Sequence, residues 1–336
     1  MAKKTNAYAG LNQALSFGID VSKKSLDLCW LTDQGESGRS IGNRPSALRS
    51  LAEALVAADY RGKIIIESTG YYHWLAVVIL SEAGLDVRLI NPLLAHKHHR
   101  GGIRKVKSDP VDAATLAGMG LTERRLPPRW HKGAAWVAQR HRIGLISTTD
   151  RSLQQMKASL ASHRDALALM GETDDPTVAA IQAQIEQFEK IKRQAEDELA
   201  RTLATLSEIN RQRYASIPGI SDYLAGVMNL MLRPEARQAK SWIAFVGLDI
   251  SVRESGQWRG RTRLTKRGMG YLRKKFFQAA WGAMQNDPQV RAYYDQLRAQ
   301  GRPYVESMLI IARKLLRIAY HLQKHQEMYD PDKAWA

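Results

Sequence analysis

The chain has 336 residues, 44% of them hydrophobic and 25% charged, which indicates a folded protein with room for two or three domains. Its 50 lysines and arginines against 33 aspartates and glutamates give a formal net charge of +17, which favours nucleic acid over a membrane surface as the partner. No apolar run is long enough to span a bilayer, no signal peptide is recognisable, and the single cysteine, Cys29, excludes an intrachain disulfide and a cysteine zinc site, so we expect a reducing cytoplasm.

The first predicted element is paired β-structure within residues 17–31. Apolar residues dominate its start and then alternate with polar ones at Leu26, Leu28 and Trp30. Asp20 lies inside the apolar run, where a carboxylate is costly unless a charged group pairs with it. That group is either a nearby lysine, which Asp20 taken alone favours, or a divalent metal ion.

Strands and helices then alternate along the first third of the chain. The pattern predicts a returning strand at 38–41, a helix at 45–58, and a short buried strand at 63–70 that contains Glu67 near its end. A helix at 72–83 and a strand at 86–92 follow. This alternation predicts an α/β domain with a central sheet.

A basic stretch comes next and leads to a helix start. Its cations include His96, His98, His99, Lys105 and Lys107. Because lysine and arginine are interleaved with the histidines, we expect a patch that faces nucleic acid rather than a zinc site. Asp109 followed by Pro110 predicts an N-cap and a first helical residue, with Asp112 in the first turn. Pro127-Pro128 then suggests a domain edge.

The segment from about 130 to 210 is predicted to be mostly helical. Six positions follow an approximate heptad, interrupted at Lys192 and Thr202: Ile185, Phe188, Ala195, Leu199, Leu206 and Ile209. Residues 171–176 are predicted as the loop of an antiparallel helical hairpin. The pattern fits a dimerising coiled coil and an ordinary packed helix pair equally well.

The final part of the chain begins with a Pro-Gly turn at Pro218-Gly219, which resembles a helix–hairpin–helix element whose backbone amides hold a phosphate. Short helices are predicted at 241–248 and 271–284, and a strongly patterned one at 303–324. Between the first two, we expect a loop at 254–268 that is dense in arginine, lysine and glycine. Trp74, Trp242 and Trp281 are mostly core candidates, whereas Trp258 lies among arginines and is the candidate for stacking on a base.

Four acids form the first candidate site: Asp20, Glu67, Asp109 and Asp112. Carboxylates at strand ends and on a helix turn can converge in an α/β domain, and hard oxygen ligands suit Mg²⁺. Two such ions about 4 Å apart can clamp the attacking and leaving oxygens of a phosphodiester. Each acid alone is explained as a surface charge or a helix cap, and Asp109 fits a cap well, but the four together in a strongly basic chain favour a metal site.

Ser255 is the second candidate, because it is flanked by Gly256 and a run of arginines and can approach a phosphate closely. No general base lies beside it in sequence, so its local surroundings favour a phosphate-contacting serine without chemistry. Ser251 and Tyr271 are rival nucleophiles. The residues predicted to contact nucleic acid are Lys23, Lys105, Lys107, Gly219, Trp258, Arg259, Arg261, Arg263, Lys266 and Arg267.

The chain resembles the DEDD transposases of the IS110 type, which include pilin-gene invertases and bridge-RNA-guided recombinases. The resemblance lies in residues 18–23, 67–70, 107–113, 217–220, 245–248, 255–256 and 265–268, which run in family order over nearly the whole chain. Asp249-Ile250 departs from the pattern, since the family often has a proline there.

The resemblance implies a RuvC-like (RNase H-like) domain over residues 1–128, in which the four acids bind Mg²⁺ or Mn²⁺. It implies a helical coiled-coil segment over 129–210 that holds a dimer or tetramer together. It also implies a mainly helical transposase domain over 211–336, in which Ser255 forms a covalent link to target and donor DNA. Relatives use a structured noncoding guide RNA, and a prokaryotic, nucleoid-associated protein is expected.

We therefore predict a site-specific DNA recombinase that uses the four acids and Ser255. Two other functions remain compatible with the residues. One is a RuvC-like nuclease or junction resolvase that uses metal-activated water and leaves Ser255 as a binding residue. The other is a non-catalytic nucleic-acid-binding protein.

Overall fold

The computed structural model describes residues 8, 10–68, 70–92, 94–95, 109–205, 208–232, 235–251, 254–255, 258–259 and 263–335. For residues 109–111, 208–209, 251, 254–255, 258–259 and 263, it describes the backbone alone. The chain divides into two compact units, residues 1–137 and residues 138–336.

The first unit is built on a five-stranded sheet in the order β3-β2-β1-β4-β5. Its strands are β1 (Ser16–Val21), β2 (Ser25–Thr32), β3 (Gly35–Gly42), β4 (Lys63–Glu67) and β5 (Asp86–Ile90). The first three strands form an antiparallel meander, while β4 runs parallel to β1 and β5 runs parallel to β4. The predicted mixed α/β domain is confirmed.

Helices cover both faces of this sheet, because its strands carry apolar side chains on both faces. A short 3₁₀ helix (Leu11–Gln13) precedes the sheet, and the unit's α-helices are α1 (Pro45–Ala57), α2 (Trp74–Glu82) and α3 (Asp109–Thr122). Helices α1 and α2 pack on the face that carries Phe17, Ile19 and Ile66. Helix α3 packs on the other face, against Ile65.

The second unit is mostly helical, as predicted. Its helices are α4 (Ala134–Leu169, which begins in the first unit), α5 (Pro176–Ala204), α6 (Glu208–Ala215), α7 (Asp222–Met231), α8 (Ala239–Val246), α9 (Gly270–Asn286), α10 (Pro288–Ala299), α11 (Tyr304–His325) and α12 (Pro331–Trp335). None of the helices in the described residues combines the length and apolar composition needed to cross a membrane.

Helices α4 and α5 form the predicted antiparallel hairpin, with its loop at 170–175. Leu153, Leu160 and Ile185 make its apolar contact. Lys192, which interrupts the heptad, places its ammonium group 2.7 Å from the buried Asp150 carboxylate on α4. Lys274 of α9 reaches the same carboxylate at 2.8 Å, so this one acid joins three helices of the unit.

The described residues of the predicted loop at 254–268 include short strands, and a further short strand lies just before it. Strand β6 (Ile250–Ser251) pairs with β9 (Arg263–Leu264), and between them β7 (Glu254–Ser255) pairs with β8 (Trp258–Arg259), both antiparallel. The two pairs are nested in sequence, and their described residues are called the β-hairpin below.

One further prediction needs correction. Trp281 was expected in the core with Trp74 and Trp242, but it is 51% exposed on α9. Helix α3 is described from Asp109 onward, and residues 96–108 are outside the described part of the chain, so the N-cap role of Asp109 stays a prediction. The other two tryptophans are buried as predicted.

Candidate active site

Asp20 and Glu67 lie at the carboxyl ends of two neighbouring parallel strands. In the register of β1 and β4, Ile19 is paired with Ile66, and the two acids are the residues that follow this pair. Residues at the same level of adjacent parallel strands point to the same face of a sheet. The two carboxylates are therefore neighbours at one end of the sheet, and both are half-buried.

Both acids point to the face that α3 covers. Side chains alternate between the faces of a strand. Ile19 and Ile66 belong to the core under α1 and α2, whereas Ile65 packs against α3. Gly18 lies under α3 as well, since a β-carbon there would meet Ala113 and Ala117. Asp20 comes two residues after Gly18 and Glu67 comes two residues after Ile65, so both acids point to the same face as Gly18 and Ile65.

The direction of α3 brings its first turn toward these acids. Ala113 lies over Gly18, whereas Gly120, two turns later, lies over Ser16 at the start of β1. The Lys63 ammonium group at the start of β4 donates to the Gly120 carbonyl at 3.1 Å. The helix thus runs antiparallel to β1 and β4, and its amino-terminal turn, with the half-buried Asp112, lies toward their carboxyl ends.

Asp109 is on the same turn, but its side chain is outside the described part of the chain. Three of the four predicted acids are therefore brought to one face and one end of the sheet. Oxygen donors of this kind fit Mg²⁺ or Mn²⁺ in their chemistry. Among the described side chains, no group of three His, Cys, Asp or Glu residues is close enough together to hold a metal ion.

A fifth carboxylate, Asp27, was missed by the sequence analysis. Asp20 is directly opposite Asp27 across the antiparallel pair of β1 and β2, so the two point to the same face. Cys29, two residues later in β2, packs against Ala113 and Ala117 of α3. Like charges facing each other across strands destabilise a sheet unless a cation lies between them. The sequence signal that could have found this pair is that Asp20 and Asp27 are the same number of residues from the turn at 23–24.

Cys29 is not a metal ligand or nucleophile candidate. Burial, with a smaller contribution from the charge of Glu36, raises the pKa of its thiol to about 11. The thiol is therefore protonated at neutral pH, and a protonated thiol neither ligates a metal nor attacks a phosphate.

The loops at this end of the sheet are held together by Asn43. Its side-chain amide donates to the Ser22 carbonyl at 3.0 Å and to the Tyr72 carbonyl at 3.1 Å. The turn after Asp20 is thereby joined to the turn after Glu67. Sequence reasoning missed Asn43, whose position in a Gly-Asn-Arg-Pro turn gave no hint of its distant partners.

The backbone of Ser255 in β7 pairs with that of Trp258 in β8, and in the sequence only Gly256 and Gln257 separate the two residues. Ser251 is in β6, where it pairs with Arg263 of β9. The side chains of these residues are outside the described part of the structure.

The base of this hairpin is fixed by Asp249, the position at which the chain departs from the family pattern. The Thr265 amide donates to the Asp249 carbonyl at 3.0 Å, and the Thr265 hydroxyl donates to the Asp249 carboxylate. Burial and the charge of Arg317 lower the pKa of Arg313, while the charge of Asp249 acts in the opposite direction. Arginines of α11 thus lie close to the hairpin base.

Tyr271 is excluded as a freely accessible nucleophile. Its hydroxyl group is buried, lies 2.9 Å from that of Tyr223 and donates to the Glu196 carboxylate at 2.8 Å. Burial, the neighbouring tyrosine and the glutamate all raise its pKa. A phenol held in this way neither ionises readily nor reaches solvent.

The predicted nucleic-acid contacts are described unevenly. Lys23, Lys266 and Arg267 are exposed. Only the backbone is described for Trp258, Arg259 and Arg263. Six further residues lie outside the described part of the chain: Lys105, Lys107, Arg261, His96, His98 and His99. The contacts of all nine stay predictions.

The Pro-Gly turn packs tightly on α9. Gly219 has a φ of 80°, and a β-carbon there would lie 2.1 Å from the Ala279 carbonyl oxygen, so only glycine fits. At the start of α7, the Leu224 amide already donates to the Ser221 hydroxyl at 3.2 Å. Asp222 in the same turn adds a negative charge, which opposes phosphate binding at this helix start. The exposed backbone of Gly219 remains the predicted contact.

Two family models match the chain. A model described as a DEDD transposase of the IS110 group matches residues 17–165, which contain the four acids. A second model, described as a transposase of the IS116/IS110/IS902 family, matches residues 211–295, which contain Ser255 and the β-hairpin.

Similar proteins include two pilin gene-inverting proteins, from Moraxella lacunata and Moraxella bovis. Each is 24% identical over 333 residues, which cover 93% of this chain and 97% of the relative. An uncharacterised protein of insertion element IS110 from Streptomyces coelicolor is 24% identical over 117 residues, covering 34% of this chain and 29% of its own length.

Proposed function

The chain belongs to the IS110 family and is a DNA transposase or recombinase, and we propose that it cuts and rejoins DNA site-specifically through a covalent serine–DNA intermediate. The observation that carries this proposal is the convergence of Asp20 and Glu67 with the first turn of α3 on one face of the sheet. Catalytic acids of a phosphoryl-transfer enzyme require such a common face.

In the proposed mechanism, Asp20, Glu67, Asp109 and Asp112 hold Mg²⁺ or Mn²⁺. When bound, the metal neutralises charge on the reacting phosphate and polarises its bonds. Asp27 adds negative charge beside Asp20 and strengthens the attraction for a cation. Asn43 fixes the turns beside the acids. The mixed sheet, with β4 and β5 parallel to β1 and an antiparallel meander on its other side, is compatible with a RuvC-like domain.

Ser255 is the proposed nucleophile. Its hydroxyl oxygen forms an ester bond to the phosphorus and loses its proton, while one deoxyribose oxygen leaves and gains a proton. Attack by a deoxyribose hydroxyl on this ester then rejoins DNA and frees the serine. The pairing of the Ser255 backbone with Trp258, from which only Gly256 and Gln257 separate it in the sequence, supports this role, because a short turn lets a phosphate approach closely. Arg259, Arg261 and Arg263, which follow Ser255 in the sequence, supply positive charge.

We propose that the acids and Ser255 act on the same phosphate when subunits of a homodimer or homotetramer assemble. The helical hairpin of α4 and α5 holds this assembly together. Three apolar residues of α5 at near-heptad spacing support it, because they are exposed: Ile181, Phe188 and Ile191. Light scattering on the wild type and on Phe188→Glu tests it, and we expect a smaller particle for the variant.

The DNA partner follows from the relatives, two of which are named for inverting a pilin gene. We propose an inversion or transposition reaction between a target and a donor DNA in the prokaryotic nucleoid, guided by a structured noncoding RNA. The net charge of +17 is compatible with two nucleic-acid partners. Sequencing of co-purified nucleic acid tests the guide, and one discrete RNA species is the expected result.

A plasmid that carries the gene with its flanking DNA provides the substrate for testing the chemistry. We expect a covalent protein–DNA adduct with the wild type, its loss in Ser255→Ala, and its persistence in the matched control Ser251→Ala. Asp20→Asn should abolish cleavage and leave DNA affinity largely intact. Cleavage that survives in Ser255→Ala without any adduct would instead identify a nuclease that uses water.

A further inference from the structure

Two adjacent tyrosines are exposed in the turn that follows β4. Tyr71 is 60% exposed and Tyr72 is 46% exposed. Aromatic side chains contribute most when they are buried, so two consecutive exposed rings are unusual in a turn beside an active site. The same turn follows Glu67, which ends β4 three residues before Gly70.

This turn is held at both ends and in the middle. Before it, the Ser68 amide donates to the Ile90 carbonyl at 2.9 Å and prolongs the pairing of β4 with β5. After it, His73 is buried and its ring packs 4.3 Å from that of Trp74. In the middle, the Asn43 amide binds the Tyr72 carbonyl. The two rings are therefore presented by a well-anchored backbone.

The anchoring also sets the position of the turn relative to the acids. Asn43 bridges Tyr72 to Ser22, which is two residues after Asp20. Lys23 and Lys24 follow in the same β1–β2 turn and are exposed, as is Arg44 at the start of α1. The loops at the end of the sheet where Asp20 and Glu67 lie thus expose two aromatic rings and three cations.

We propose that Tyr71 and Tyr72 form a stacking platform for unpaired bases of the DNA strand whose phosphate reaches Asp20 and Glu67. Aromatic rings bind unpaired bases by stacking, and neighbouring lysines and arginines bind the phosphates between them. The platform positions the strand and takes no part in the bond changes. Its placement beside the reacting phosphate rests on the proposed recombinase function.

The test uses the full-length protein with two probes, a fluorescent oligothymidylate and an abasic deoxyribose-phosphate chain of equal length. For the double variant Tyr71→Ala/Tyr72→Ala, we expect affinity for oligothymidylate to fall about tenfold, with affinity for the abasic chain unchanged. Tyr71→Phe/Tyr72→Phe should bind like the wild type, because stacking needs the ring alone. Lys23→Ala/Lys24→Ala should weaken both probes equally.

A matched surface control is Val56→Ala, an exposed apolar residue near the far end of α1, which should change neither affinity. Photo-crosslinking of an oligonucleotide that contains 5-iodouracil locates the contact independently of affinity. Crosslinks that map to Tyr71 or Tyr72 are expected.

Equal loss of affinity for both probes, or crosslinks found only on other peptides, would overturn the platform. These readouts do not require cleavage. Absence of DNA cleavage together with crosslinked tyrosines would contradict the recombinase mechanism and leave the platform standing.

Discussion

A β-carbon at Gly18 would lie 2.1 Å from the carbonyl oxygen of Ala113, so β1 and α3 touch through their backbones. The contact is made by backbone on both sides, which cannot give way as a flexible side chain does. Because Asp20 and Asp112 are on the two elements that meet here, this contact sets how near the two carboxylates come.

Gly18→Ala should therefore cost about 1–3 kcal/mol of unfolding free energy, as expected for overpacking, and should greatly reduce DNA cleavage. Chemical denaturation and a plasmid cleavage assay measure the two effects. Gly118→Ala is the control, because a β-carbon there meets nothing within 4 Å. It should gain about 0.5–1 kcal/mol, since alanine favours a helix over glycine. An unchanged Gly18→Ala protein would refute the close packing.

Asp27 should matter for metal affinity, since it lies directly opposite Asp20. In Asp27→Asn, we expect the Mg²⁺ concentration for half-maximal cleavage to rise several-fold, because a negative charge beside the ion is lost. Activity should recover at high Mg²⁺. A magnesium titration of the cleavage rate measures this. Asp33→Asn, an exposed acid in the β2–β3 turn, should titrate like the wild type, and a Mg²⁺ response of Asp27→Asn identical to it would contradict the prediction.

The Asp150 cluster should make stability depend on pH. Burial acts to raise the pKa of Asp150, but hydrogen bonds and charges from Lys192 and Lys274 lower it below its ordinary value of 3.8. A lowered pKa in the folded state contributes stability that is present above the unfolded-state pKa. That stability is lost as the pH falls through the folded-state value.

In Asp150→Asn, we therefore expect a loss of about 3 kcal/mol at neutral pH, because two lysines lose a carboxylate that is only 7% exposed. The difference from the wild type should shrink as the pH is lowered below about 4. Urea unfolding at several pH values measures it. Asp165→Asn, exposed on the same helix, should show neither effect.

Tyr271→Phe separates structure from catalysis in the second unit. Loss of the hydroxyl removes the hydrogen bonds to Tyr223 and Glu196 and should cost about 1 kcal/mol in thermal unfolding. Formation of the covalent protein–DNA adduct should persist, because the buried phenol is not the nucleophile. Loss of the adduct in a folded Tyr271→Phe protein would revive Tyr271 as the attacking residue.

Much of the α/β unit could be predicted from sequence, since its signals are local. The alternation of apolar residues around Leu26 and Leu28 gave the strands, and Pro45 and Pro110 marked helix starts. The acids at strand ends followed from the same pattern, because parallel strands align their carboxyl ends. The register of β1 with β4, which makes Asp20 and Glu67 neighbours, needed the structure.

The features that escaped prediction depend on distant partners. Lys192 looked like a defect in a heptad because its acid, Asp150, is 42 residues away. The strands at 250–264 are two residues long and lie in a sequence dominated by glycine and arginine, which carries no alternating pattern. Trp281 is on a helix on which Leu272, Phe276 and Met284 are buried, and only packing shows that Trp281 faces outward.

The connection that leaves the sheet has a consequence for assembly. Trp130 donates its amide to the Val87 carbonyl of β5 at 2.8 Å, and Arg88 donates to the Pro127 carbonyl at 2.9 Å. One border of the sheet is thereby covered by the chain itself, whereas the other border, β3, is exposed along most of its length. A strand from another polypeptide would therefore pair with the edge strand β3 and not with β5, so this sheet has one edge open to β-strand addition.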